Sequence, residues 1–241
     1  MFLILAFLFF IGSVSGWIME LFFRRFVSAA NPDRKWINPG FCTGPYLPLY
    51  GCGLCILYLV AQLEQYVFSE SPVLSKLTVF VMMAVCMTAI EYIAGILSLK
   101  VAKVRLWDYT NEWGNIQGII CPKFSLIWAA LGAVYYFAIH PYILGALDWL
   151  SRNLAFSFCI GLFWGVFLID VADAARLTAK LKKYADENNV IVRYEAIKAD
   201  IRRKHDIAKR RYNFFRPFRT VQPITEHLKD LKETFEKIKN K

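Results

Sequence analysis

Apolar residues in this chain gather into long runs instead of the short alternations of a soluble domain. Phe2 to Phe23, Tyr46 to Leu63, Leu77 to Leu99, Phe124 to about Leu147 and Leu154 to Ile169 predict membrane-spanning helices, because a bilayer takes roughly 20 mostly apolar residues. The fourth run is interrupted by His140 and Pro141, and the fifth is short. The pattern therefore predicts an all-α, polytopic membrane bundle of about five spans.

Beyond Ile169 the pattern changes. Ile191, Tyr194, Ile197, Ile201, Ala208, Tyr212 and Phe215 recur at helical spacing, which predicts an amphipathic helix over 190 to 215. Ile224, Leu228, Leu231, Phe235 and Ile238 alternate steps of four and three, the seam of a short coiled coil. Two regions follow: a transmembrane domain over 1 to 171 and a cytoplasmic helical tail over 172 to 241.

Composition sharpens this division. Of 241 residues 57% are hydrophobic, and the mean hydropathy of +0.38 excludes an ordinary globular domain. Ser13, Val14 and Ser15 resemble the small-residue cleavage site of a signal peptide, but no basic residue precedes the first apolar run; Arg24 and Arg25 follow it. That charge order predicts a retained span with its N-terminus outside. On this arrangement every Lys and Arg except Lys76 and Arg152 falls on the inner side, as the positive-inside rule demands of a multi-pass cell-membrane protein. The net charge of +10 then belongs chiefly to the tail and gives no argument for nucleic acid. Within the tail, Lys209, Arg210, Arg211, Arg216 and Arg219 interleave with Tyr212, Phe214, Phe215 and Phe218, a pattern that suits anionic lipid headgroups at about 1 kcal/mol per charge.

Several chemistries are not indicated. The six cysteines lie in spans or on the reducing side and make no disulfide framework, and Cys52 with Cys55, inside an apolar helix, reads as small-residue packing. No HExxH, no His-based metal site and no serine with evident His and Asp partners is present, so neither a metal nor a cofactor is expected. Without GxxxxGK[ST], ATP hydrolysis would have to come from a separate subunit.

Candidate chemistry concentrates in four places. Asn38 to Gly51, NPGFCTGPYLPLYG, passes from a charged loop into a span through three glycines and three prolines and predicts a helix start near Pro45. Such a start either punctuates the chain or presents N–H groups to an anion or a partner's carboxylate. Near the inner end of the first span, Glu20 and Arg24 form either a surface ion pair or an acid lining a vestibule. Glu91 lies close to mid-membrane, where an ionisable side chain needs a polar cavity, a partner or a proton. Finally, the segment from Arg105 to Cys121 offers Trp107, Tyr109 and Trp113 as interfacial aromatics beside Asp108, Asn111, Asn115 and Gln117. Glu91, Glu20, Asn38, Tyr50, Asp108 and Asn115 are the candidate polar site. Gly12 with Gly16 and Gly161 with Gly165 add two small-xxx-small patterns for close helix packing.

The series Gly16, Trp17, Glu20, Asn38, Gly40, Phe41, Gly44, Pro45, Pro48, Tyr50, Gly51, Glu91, Tyr92, Gly95, Trp107, Asp108, Tyr109, Asn115, Gly118 and Cys121 resembles the bacterial family of putative ABC-transporter permeases, type IV or CmpB-like. The likeness covers roughly residues 10 to 130 and extends toward Ile169. Members often carry Arg where this chain has Pro39 and Ile119, and a second acid where it has Leu99, which weakens an anion-binding reading. The resemblance implies a membrane subunit of a transport system, working with a separate ATPase and open to homo-oligomer formation. Two alternatives stand beside it: a scaffold or regulator acting through its basic tail, and an intramembrane enzyme using Glu91 with Asp108 on a lipid-linked substrate.

Overall fold

A computed structural model describes residues 1–28, 31–67 and 71–207, with side chains described through Ile201. Helix α1 (Phe2–Phe26) leads to α2 (Pro48–Ala61), whose last turn tightens into a 3-10 turn over Gln62–Tyr66. Next come α3 (Pro72–Ala102) and strand β1 (Val104–Arg105), then α4 (Pro122–Val134) and α5 (His140–Arg152). Helix α6 (Ser157–Asn188), strand β2 (Val192–Arg193) and α7 (Tyr194–Ile207) complete the described chain. The architecture is an all-α membrane bundle.

Four helical stretches, Phe2–Phe26, Pro72–Ala102, Pro122–Arg152 and Leu154–Asn188, are long and apolar enough to cross a bilayer. Their outer faces carry Phe22, Val85, Ile93, Leu126, Val134, Leu162 and Leu168, all exposed, as side chains that face lipid are. The second predicted span differs. Its helix has 14 residues and begins at Pro48, not near Pro45. Leu47, directly ahead of a proline, is held extended at φ −120°, so the helix cannot run back through it. The fourth run continues past its interruption at His140 and Pro141, for α4 and α5 join through a π turn at Tyr135–Ile139. The widened turn accommodates Pro141, which lacks an N–H and whose ring would crowd an ordinary helical carbonyl. The composition change near Ala172 likewise falls inside one unbroken helix, α6.

The two glycine pairs have opposite fates. A Cβ on Gly12 or Gly16 would come within 2.8 Å of Leu54 or 2.2 Å of Tyr50, so α1 and α2 pack backbone against backbone there. Among the described residues, a Cβ built on Gly161 or Gly165 would meet nothing within 4 Å, so that pair packs against no described helix. Cys55 donates its thiol to the carbonyl of Leu5 at 3.4 Å, an α1–α2 packing contact.

Hydrophobic burial falls in two main parts. The larger lies inside the bundle, around Leu8, Leu57, Val79, Met83, Met87 and Trp128. The smaller lies at one end, where Leu181, Tyr184, Val192, Tyr194, Ile197 and Ile201 close over Val104, and β2 pairs with β1 in parallel register, Val104 opposite Val192. That end also receives the C-terminus of α1, the loop before α2 and the segment between α3 and α4. The predicted tail therefore begins as a packed cap on the bundle. The residues from Lys209 to Arg219 and the seam from Ile224 to Ile238 lie outside the described residues.

Candidate functional site

Ser75, Val79, Met83, Met87, Glu91 and Gly95 repeat every fourth residue along the buried face of α3, which places Glu91 in the interior one turn above a glycine. Gly95 lets the neighbouring segment come close, since a Cβ there would stand 2.2 Å from Ile119. The 103–121 segment consequently lies against α3, and the Tyr109 hydroxyl donates to Glu91 Oε1 at 3.1 Å. Glu91 itself is only 2% exposed. Tyr109 is fixed by stacking on Phe124, with ring centroids 4.2 Å apart, and its phenol is pushed upward in pKa by burial and by the Glu91 charge, so it stays a neutral donor. The Trp128 indole also faces the carboxylate and packs against Tyr50, yet among the described residues Glu91 Oε2 closes no hydrogen bond.

Glu20 and Tyr50 meet beside this group. The Tyr50 hydroxyl donates to Glu20 Oε2 at 3.1 Å, and Arg24 Nε donates to Glu20 Oε1 at 3.0 Å. Arg24 also reaches Glu195 on α7 at 2.9 Å. The pair, read from the sequence as either a surface ion pair or an acid lining a vestibule, is the middle of a chain of charges from the cap into the bundle.

Asn38 is buried and ties the loop to α1 and α7. Its Oδ1 accepts from Trp17 Nε1 at 2.8 Å and from the Gly40 N–H at 3.1 Å, while Nδ2 donates to the Thr43 carbonyl at 3.1 Å. Its own carbonyl accepts from Lys198 Nζ at 2.7 Å. Lys198 is 1% exposed. Trp17, near the inner end of the first predicted span, is thereby a donor in this network.

The loop ahead of α2, not the helix start itself, holds an anion, and it belongs to the chain. Asp170 on α6 accepts from the backbone N–H of Thr43 at 3.0 Å and of Gly44 at 2.8 Å, and from the Tyr46 hydroxyl at 2.5 Å. The loop packed against α6 thus supplies this carboxylate with donors in place of solvent. Burial and the Asp170 charge push the adjacent Cys42 thiol up to about 12, which leaves it unreactive.

Asp108 and Asn115 shape the segment and do not line the Glu91 interior. Asp108 bonds Arg105 at 3.1 Å and the Thr110 N–H at 3.1 Å, with Arg193 at 3.7 Å. Although burial opposes the charge, the Thr110 bonds and the two arginines hold this carboxyl below its usual range. Asn115 donates to the carbonyls of Thr110 and Glu112 and accepts from the Gly118 N–H at 3.0 Å. Gly118 sits at φ +67° against Arg105 and Thr110, a left-handed turn with no room for a side chain.

Glu91, Glu20 and Tyr50 are therefore gathered in one interior, with Asn38 linked to it through Lys198, Glu195 and Arg24. Tyr109 and Trp128 belong to the same interior, and Asp170, Glu195 and Lys198 support it from a distance in sequence that no local pattern spans. Among the described residues no His, Cys, Asp and Glu group is arranged to hold a metal ion. The family model described as putative ABC-transporter type IV matches residues 7–174, and no curated protein and no solved structure matches the chain.

Proposed function

This chain belongs to the family described as putative ABC-transporter type IV, and on that premise we propose that it is the membrane subunit of a transport system whose ATPase is a separate protein. The observation that supports a transport site is Glu91, an ionisable side chain buried on a spanning helix yet reached by a hydroxyl from the segment at one end. A charged group at mid-bilayer costs about 3 kcal/mol on insertion scales and is retained where polar partners and a task justify it. In this reading the capped end faces the cytoplasm of a bacterial cell, the N-terminus lies outside, and the ATPase meets the 103–121 segment or α7. The basic residues from Lys209 to Arg219 hold anionic lipid beside it. Affinity purification of the tagged full chain from native membranes tests this: a stoichiometric partner carrying GxxxxGK[ST] is expected. An active protein recovered without any ATPase overturns the proposal.

A second reading has its own support, because α7 is bonded into the loop at Asn38 and into the charge chain at Arg24. Were the protein a regulator acting through its tail, removing residues 186 to 241 would abolish activity while Glu91→Gln left it intact. The transport reading expects the opposite ranking, with Glu91→Gln the more severe of the two.

A further inference from the structure

Glu20, Glu91 and Glu195 share the interior and its rim with Arg24 and Lys198. Arg24 bonds both Glu20 and Glu195, and Lys198 stands 3.9 Å from Glu195 while bonding the Asn38 carbonyl. Glu91 is left outside this balance. Among the described residues, the groups that act on it are the Tyr109 hydroxyl from the 103–121 segment, the Trp128 indole from α4, the Tyr50 phenol from α2 and the like charge of Glu20 from α1, beyond which Arg24 is already paired. Oε1 has its donor, whereas Oε2 is buried with none. Among the described residues, Oε2 is thus the carboxylate oxygen of this interior that has no donor.

The geometry points to Glu91 Oε2 as a proton-binding site, at which the protein takes up one proton from the water at the capped end and releases it again. On binding, the carboxylate and one proton become a neutral carboxylic acid with its O–H on Oε2. Tyr109 keeps its own proton and remains the donor to Oε1, so the net change is one added positive charge. A proton suits this site better than a metal cation, because a cation such as Na⁺ takes several oxygen ligands and Oε2 is one oxygen among aromatic rings. The inference deepens the transport reading, and rests on it only for what the proton is coupled to: movement through this subunit would be linked to protonation of Glu91.

The test is infrared difference spectroscopy of the purified full chain in phosphatidylcholine nanodiscs, titrated from acid to alkaline pH. A titrating protonated-carboxyl band is expected in the wild type, lost in Glu91→Gln and shifted in frequency in Tyr109→Phe. Should Glu91→Gln fail to fold, as size-exclusion chromatography would show, the Tyr109→Phe shift decides. Absence of a titrating band, a band unchanged in both variants, or its removal by Na⁺ at constant pH overturns the proposal. Recovery of an ATPase partner is a separate readout, so a missing band with a stoichiometric ATPase defeats proton binding alone, and a band without an ATPase defeats the ABC-type reading alone.

Discussion

A cell whose only copy of this protein carries Glu91→Gln behaves like a deletion strain, while the variant accumulates in the membrane at the wild-type level. Gln keeps the volume of Glu and retains a carbonyl oxygen for the Tyr109 hydroxyl, now 3.1 Å from Oε1. The hydrogen bond to a charged acceptor, worth about 1.5–3 kcal/mol, becomes a neutral one of about 1 kcal/mol, but the penalty for burying a charge disappears with it. Stability should therefore change by no more than about 1 kcal/mol in either direction. Function should not survive, because the amide can neither carry the negative charge nor take up a proton. Immunoblots of membrane fractions set beside the deletion phenotype check both halves. A variant strain that grows as wild type where the deletion strain does not would remove Glu91 from the site.

Asp170→Ala is expected to have the largest effect on stability, a loss of about 3–5 kcal/mol, for three donors lose their acceptor at once. The Thr43 and Gly44 N–H groups and the Tyr46 hydroxyl all converge on this one carboxylate. Each buried donor left unpaired costs about 1–3 kcal/mol, reduced wherever water enters. The loop would lift from α6, and Asn38 and the start of α2 follow it. Thermal unfolding in detergent measures the loss. Cys42 gives a local readout, being 6% exposed and held protonated, with its pKa at about 12, by burial and by Asp170. Removing both influences should bring that pKa down and make the thiol react with maleimide near neutral pH. Equal Cys42 reactivity in wild type and variant would mean that the loop is held by other contacts.

What could be read from the residues in order follows from how local each signal is. Length and apolarity located four of the five predicted spans, because a bilayer imposes both on any helix crossing it. The segments between α1 and α2, between α3 and α4, and after α6 were expected on one side from their basic residues, and they do meet at one end of the bundle. Glu91 stood out because an acid within an apolar run is costly. Its partner was less legible: Tyr109 is an ordinary loop aromatic until Gly95 lets Ile119 and the rest of the segment close on α3. The start of α2 was misplaced because either Pro45 or Pro48 could open a helix, and only the extended residue before Pro48 decides. Asp170 and Lys198 carried no signal, since their partners lie 126 and 160 positions away. Such pairings are set by tertiary packing, which no local periodicity encodes. Gly161 and Gly165 show the converse, a motif present without, among the described residues, the close neighbour it permits.

The contact on which the site depends is the one between α3 and the 103–121 segment, and a double-mutant cycle on Glu91→Leu and Tyr109→Phe, each of which removes one partner of the bond, read by thermal unfolding of the full chain in detergent, measures it most directly. Two groups joined by a buried hydrogen bond should be coupled, so the double variant should lose less than the sum of the singles by about 1 kcal/mol. Losses that add to within about 0.3 kcal/mol would mean that Tyr109 does not hold Glu91, and the site described around that carboxylate would be contradicted.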